Sequence, residues 1–452
     1  MSQKEVIVVG GGLAGIRAAL SLGQRGLKVS LLEKRAFLGG RAYSFQEKKT
    51  GSIVDNGQHL LMGAYSETLN LLQDLGSLDK IKPQDSLHVP YQSPKGQADL
   101  RAANLPHPLG LAWGFLSFPA LKAKDKWKIA KLMRWIQKKA AKFPPRAHDK
   151  ISVKRMLLES QQTERAIKVF WEPFTLATLN EKIETASSHR LIQTLQASLL
   201  KSKEASQLIF AGEGLSEVFG KPAEDILKKM GTKLFFQEQI KSLQKQKDQW
   251  EVQSQSGKKL LAPYLVLAIP PTSLVKVLEA SSWQDPTLLE KLKKFKSSPI
   301  LSINLWYKKL PDTKKFSALL DSPLQWVFTK AKVLHQSGRP YLSLVISADS
   351  DLTQKNKNWL VAMAQKELEK FFPQLKDIPL EHSQVIKEWE ATYSGSTGLL
   401  SEAIPFQLAQ GLFITGDWMH PDFPGTLESA VAMGQKTAEL ILKERDSSTE
   451  HT

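Results

Sequence analysis

The chain has 452 residues, 42% of them hydrophobic and 24% charged, which excludes disordered and fibrous classes and exceeds what one hydrophobic core uses. Its 62 basic residues against 45 acidic ones give a formal charge of +17, favouring an anionic partner, whether nucleic acid, lipid surface or small molecule. With no cysteine, disulfides, thiol nucleophiles and Cys-ligated metal centres are excluded, and a reducing cytoplasm fits.

The opening "MSQKEVIVVGGG" carries no apolar stretch ahead of a cleavage site, so no secretory signal is expected. "VIVVGGGLAGIRAALSLGQRGLKVSLLEK" passes from an apolar run to helical spacing and back, which predicts strand, turn, helix, strand. The turn holds Gly10, Gly12 and Gly15 in GxGxxG spacing around Ala14. Glycines there let the backbone turn sharply, approach a diphosphate and pack the helix on the sheet, with the helix start facing the phosphates. Glu33 closes the second strand, 18 residues after Gly15, where a carboxylate takes a ribose diol and repels a 2′-phosphate. FAD and NAD both suit this site; NADP does not. Lys34 follows, and "LGGR" offers Gly40 and Arg41 as a second phosphate contact, shifting the choice toward FAD.

"VDNGQHLLMGAY" sets Asp55, Asn56, Gln58 and His59 among apolar neighbours. Buried polar groups cost a few kcal/mol each unless bonded, so they satisfy one another or serve a polar ligand. "PLGLAWGFLSFPAL", Pro108 to Leu121, is uncharged but shorter than the roughly 20 residues of a membrane span. From Lys122 to Arg146 runs a basic amphipathic helix with Ile129, Leu132, Met133, Ile136, Ala140 and Phe143 on one face and Trp127 and Trp135 nearby. Its readings are docking on an anionic leaflet, a helix packed on its own domain, or a nucleic-acid patch; the adjoining uncharged segment favours the membrane.

"GEGLSEVFGKPAEDILKKMG" reads as a glycine turn and a helix through Lys229, and a strand pair follows from Lys233 to Leu261. "YLVLAIPP", from Tyr264, reads as a strand buried on both faces of a parallel sheet. "PILSINLWY", "WVFT", "YLSLVIS" and "SQVIKEW" predict a separate mixed sheet, with a helix around Leu360 to Phe371. "GLFITGDWMHPDFPGTLESAV" gives a strand from Leu412, a loop with Gly416 and Asp417, and a helix with Thr426 near its start. That helix start, if set against a flavin, favours the anionic reduced ring.

These stretches, together with "LGGRAYSF" and "FWEPFTLATLN", resemble the hydroxysqualene dehydroxylase family, also called squalene-associated FAD-dependent desaturases, within the flavin amine oxidase and phytoene desaturase superfamily. The resemblance implies an α/β architecture: a Rossmann-like FAD-binding domain of the GR2 flavoprotein type (1–85, 205–275 and 405–452), interrupted by a substrate and membrane-binding domain (86–204 and 276–404) with a mixed sheet and helices. It implies removal of a hydroxyl from hydroxysqualene by hydride from reduced flavin, giving squalene on a hopanoid or triterpenoid route. Carried over by motif, Gly10, Gly12, Ala14, Gly15, Glu33, Lys34, Gly40, Arg41, Gly416, Asp417, Thr426 and Leu427 contact FAD. Gly57, Gln58 and His59 lie where the chain passes the flavin, their polar groups turned to the ring or the substrate hydroxyl. "GDWMHPDFPGT" departs from the dehydroxylase loop by His420, Pro421, Asp422 and Gly425, as in amine oxidases.

Hydroxide leaves poorly, so its replacement by hydride calls for an acid. His59, Glu172 and Asp422 are candidates, with Gln58 beside them, against the plainer reading of each as a structural residue. Trp113, Phe118, Phe170 and Trp171 are candidates for the pocket lining, or plain core. The alternatives are an oxidising carotenoid-type desaturase or amine oxidase and, outside enzymes, a prenyl-lipid escort protein. The expected partners are a long isoprenoid, an anionic membrane surface met through 108–146 and an external electron donor, with no nucleic acid and no metal. The expected place is the cytoplasm, on the inner membrane face.

Overall fold

The computed structural model describes residues 5–139, 145–334 and 339–449. Two sheets organise it. The first has six strands in the order Lys233–Phe236, Lys28–Glu33, Glu5–Val9, Tyr264–Leu267, Leu412–Ile414 and Gln407–Ala409, parallel except for the last pair. Tyr264–Leu267 is buried throughout, as a parallel strand covered on both faces requires. The helix Leu13–Gln24 packs on one face with the last helix, Leu427–Thr449, against it. At their crossing a Cβ on Gly434 would stand 2.3 Å from the carbonyl oxygen of Ala14, so only glycine permits this approach.

The second sheet has seven strands in the order Leu380–Tyr393, Ser297–Tyr307, Leu342–Ser347, Trp326–Thr329, Phe316–Leu319, His88–Ser93 and Gly96–Arg101. It is mixed: Phe316–Leu319 pairs in parallel with His88–Ser93, and the other ladders are antiparallel. Along Ser297–Tyr307 the side chains alternate between its faces. Leu301, Ile303 and Leu305 pack under the helix Lys357–Glu369. Ser302, Asn304 and Trp306 turn the other way, where Trp306 meets Val54 and Tyr341.

The strand pair expected from Lys233 to Leu261 is corrected. Lys233–Phe236 joins the parallel sheet beside Lys28–Glu33, and a separate three-stranded antiparallel sheet is formed by Ile240–Gln246, Gln249–Ser254 and Lys259–Ala262. Four strands compete for one stretch of alternation, and partner choice is a tertiary decision.

The basic helix forms over Ala123–Lys139, but its apolar face is committed to the protein interior: Ile129, Leu132, Met133 and Ile136 are buried in the core of the helical region. This corrects the expectation that this face meets lipid; Ala140, Lys142 and Phe143 lie outside the described residues. What stays exposed is the preceding helix, Leu109–Ser117, through Leu109, Trp113 and Leu116, with Trp127 on the basic helix. Among the described residues no helix is long and apolar enough to cross a membrane.

Candidate functional site

The glycine turn is built by contact geometry. Gly10 has φ +106°, and a Cβ there would stand 2.3 Å from the carbonyl oxygen of Ala268. A Cβ on Gly15 would stand 1.9 Å from the carbonyl oxygen of Gly10, so the helix rides directly on the turn. Gly12, by contrast, starts the helix with no side-chain cap, and a Cβ on it meets nothing closer than the Cα of Gly40 at 3.9 Å. An uncapped, glycine-floored helix start suits an anion. Gly40, at φ +59°, presses the second glycine loop onto Gly12.

Glu33 is buried, accepting the N–H of Gly11 at 2.6 Å and of Arg35 at 2.8 Å. Each carboxylate oxygen keeps a second lone pair for a ribose hydroxyl. Lys34 is exposed. The cation on the inner side is Arg35, which donates to the carbonyl of Gly40 at 2.7 Å and stacks 4.7 Å over Tyr43. Arg41 pairs with Asp417 at 2.8 Å and donates to the carbonyl of Ala391 at 2.7 Å. Beside Gly416, the hydroxyl of Thr415 is fully buried with no partner among the described residues. Thr426 caps the last helix by accepting the N–H of Ser429, and Leu427 begins it. These two residues lie about two turns before the Gly434 crossing over Ala14. The open helix start, the buried carboxylate and the orphaned hydroxyl together fit a dinucleotide.

The polar cluster in "VDNGQHLLMGAY" is resolved mostly within the chain. Asp55 accepts the N–H of Leu215 and the ammonium of Lys330, the latter at 2.8 Å. Lys330 also donates to Gln58 Oε1 at 2.8 Å, and its side chain is 3% exposed. Asn56 donates to Glu388. Among the described residues the His59 ring bonds through Nδ1, to the carbonyl of Gly57 at 2.9 Å. Burial lowers its pKa below the usual histidine range; the bond to Gly57 and Asp55 oppose this, and Arg41 and Lys330 reinforce it. The ring is therefore neutral at neutral pH. A Cβ on Gly57 would be 4.0 Å from Ser302 Oγ, which sets this loop against the inner face of the seven-stranded sheet. On the same face Asn304 is buried with its Nδ2 unpartnered among the described residues, and its register partner Gln384 leaves Oε1 free.

Glu172 and Asp422 are not joined to this cluster. Glu172 has its pKa raised by burial and by Glu184, against Lys168 and Lys154, all charges of the helical region. Asp422 accepts from the buried His189 at 3.1 Å, and that bond lowers its pKa below the usual carboxylate range. The expected lining is corrected too. Phe118, Phe170 and Trp171 are closed core residues, with the Trp171 indole N–H given to Gln162, and Trp113 lies on the outer surface. Beside His59, Leu60 faces Phe210 across a strand pair; Phe210, Phe316, Phe328 and Val345 form a further closed core, with Leu60 and Ile300 partly buried against it.

The sequence profile of the flavin containing amine oxidoreductase family matches residues 13–442. The chain is 24% identical over 441 residues to a hydroxysqualene dehydroxylase of Zymomonas mobilis, covering 96% of this chain and 98% of that one. It is 24% identical over 464 residues to the 15-cis-phytoene desaturase of Arabidopsis thaliana, covering 97% and 80%. Putrescine oxidase bound to putrescine superposes with a TM-score of 0.76 at 16% identity, covering 98% of this chain and 99% of that one, which shows the shared fold.

Proposed function

This chain belongs to the flavin containing amine oxidoreductase family and is an FAD-dependent oxidoreductase, and we propose that it reductively removes the hydroxyl of a long isoprenoid alcohol of the hydroxysqualene type, leaving squalene. The observation that carries this reading is the placing of the polar Gln58 and His59 beside the partly buried Leu60 and Ile300. A hydrocarbon with a single oxygen matches such a lining, gaining about 25 cal/mol for each Å² of apolar area it buries. A protonated amine does not suit it, because Lys330 sits beside Gln58. The full-length similarity to a hydroxysqualene dehydroxylase and to a phytoene desaturase supports a long isoprenoid.

In this reading Gly10, Gly12 and the first helix hold the diphosphate with Gly40 and Arg41, Glu33 takes the ribose, and Asp417, Thr426 and Leu427 flank the remainder. Reduced FAD, replenished by an external donor, supplies a hydride for the carbon that loses oxygen. The hydroxyl departs as water, which requires one proton. Gln58 offers an amide donor and His59 an imidazole Nε2 to that oxygen. His59 delivers the proton once it has taken one up.

Squalene-like molecules reside in bilayers. The exposed Leu109, Trp113, Leu116 and Trp127, ringed by exposed Lys124, Lys131 and Arg134, support docking on an anionic leaflet, where each base adds about 1 kcal/mol before screening.

The test is anaerobic: dithionite-reduced protein is mixed with hydroxysqualene and products are read by mass spectrometry. Flavin reoxidation with stoichiometric squalene is expected; an unchanged reduced flavin overturns the reading. One observation favours desaturation as a second reading. A neutral His59 with a free Nε2 lone pair suits removal of a proton from carbon beside the one that loses hydride. Bleaching of oxidised flavin by phytoene, without reaction with hydroxysqualene, selects it.

A further inference from the structure

We propose that Lys330 is a positioning residue, which fixes the end of the Gln58 amide turned toward the substrate space and holds His59 as a hydrogen-bond acceptor. The inference rests on the reading above for the substrate alone; the geometry is independent of it.

Lys330 directly follows the strand Trp326–Thr329 of the seven-stranded sheet, and its backbone N–H is tied to the carbonyl of Tyr341. Its ammonium crosses to the opposite wall, to Asp55 Oδ2 and Gln58 Oε1, both at 2.8 Å, over 275 and 272 residues of sequence. An ammonium has donors only. It therefore takes the oxygen end of the Gln58 amide and forces the NH₂ end away, where it reaches the carbonyl of His59 at a long 3.3 Å. So weak a bond leaves that donor available to a substrate oxygen. Asp55 turns one oxygen to Lys330 and the other to the N–H of Leu215.

The second consequence concerns charge. The charged groups facing His59 are Asp55, Arg41 and Lys330. Asp55 draws a proton toward the ring, and Arg41 and the Lys330 ammonium oppose it. Lys330 thus couples the substrate sheet to the loop that carries both polar groups, and any separation of the two walls releases the amide and the imidazole together.

The experiment uses FAD-loaded protein with ¹⁵N-labelled histidine, the His59 signal being assigned by its loss in His59→Gln. Lys330→Met is expected to move the His59 titration midpoint upward and to lower kcat by about 10-fold to 100-fold with little change in KM. Lys330→Arg, which keeps the charge and the donors, is expected to hold the midpoint near its original value. Truncating one partner of a buried pair endangers folding, so Asp55→Asn/Lys330→Met provides a neutral counterpart; adding Gln58→Met to it is expected to cost no further kcat, because the amide is already released. A midpoint unmoved by Lys330→Met, or additive losses in the triple variant, overturns the inference. If wild-type protein leaves every isoprenoid alcohol unreacted, the substrate reading fails, while the midpoint still decides the role of Lys330.

Discussion

The Nδ1 of His59 lies 2.9 Å from the carbonyl oxygen of Gly57. A carbonyl only accepts, so the proton of the neutral ring is on Nδ1 and the lone pair is on Nε2. Burial holds the pKa below the ordinary 6.5, with Arg41 and Lys330 in support. The sign of the pH dependence follows from the reaction. If His59 protonates a departing hydroxyl, kcat rises as pH falls toward the lowered pKa and is weak at neutral pH. If it removes a proton from carbon, activity is full at neutral pH and is lost on acidification. Profiles of kcat for wild type and His59→Gln distinguish the two, and identical profiles for both proteins remove His59 from the chemistry.

Two glycines of one motif are predicted to fail differently. A Cβ on Gly15 would sit 1.9 Å from backbone oxygen, so Gly15→Ala forces the helix off its turn. Overpacking of this kind costs about 1–3 kcal/mol or more, and both the thermal midpoint of the FAD-free protein and its FAD affinity should drop. Gly12 has an extended backbone that alanine adopts freely, and space around its Cβ. Gly12→Ala should leave the midpoint of the FAD-free protein unchanged while the added methyl intrudes where the diphosphate approaches, weakening FAD retention by about 10-fold or more. Thermal unfolding with and without added FAD checks both.

The contrast between these glycines and Lys330 explains what the sequence makes legible. Gly10, Gly12, Gly15 and Glu33 belong to one strand, turn, helix and strand, so their spacing along the chain is their spacing in space. Arg35 lies past that reach, because the strand ends at Glu33 and the chain bends from residue 34 on. Lys330 has no such signal. It is one lysine of many after a short strand, and only the docking of two sheets 272 residues apart in sequence brings it to Gln58. The aromatics failed for another reason, since Phe170 and Trp171 in a helical run look alike whether they face a core or a pocket. Amphipathicity is equally silent on its partner, and Ile129 and Ile136 found theirs inside the protein.

Vesicle binding is therefore predicted to depend on the exposed helix Leu109–Ser117 and not on the buried face behind it. Trp113 and Leu116 are 57% and 64% exposed, so Trp113→Asp and Leu116→Asp should leave the thermal midpoint unchanged. Burial of one large apolar side chain contributes about 1.5–3 kcal/mol, so each change should reduce sedimentation with anionic vesicles by about 10-fold or more. Added salt should weaken wild-type binding through the neighbouring lysines. Ile136→Ala should do the reverse, destabilising the protein by about 2–5 kcal/mol with vesicle affinity intact. Binding that survives both aspartates places the contact elsewhere.

The loop from Gly416 to Thr426 carries a pH-dependent element of stability. Its His420 accepts the N–H groups of Asp422 and Phe423 on Nδ1, at 3.2 and 3.0 Å, while Arg190 donates to the carbonyl of Phe423 at 2.6 Å. Burial lowers the His420 pKa from 6.5 to about 4; Asp422 opposes the shift and Arg190 assists it. A proton on Nδ1 removes the acceptor for two backbone donors at once, so the native loop resists it, whereas the unfolded chain takes it up near pH 6.5. The unfolded state then binds more protons between these values, and stability declines as pH falls from about 6.5 toward about 4, by at most about 3 kcal/mol. His420→Asn places an uncharged acceptor on the same backbone donors and should flatten this part of the curve. Urea unfolding of both proteins at several pH values in that window gives the difference directly, with other titrating groups cancelling between them. Parallel curves would mean that His420 is protonated as readily in the native loop as in the unfolded chain, and that the two backbone donors are held by something other than its ring.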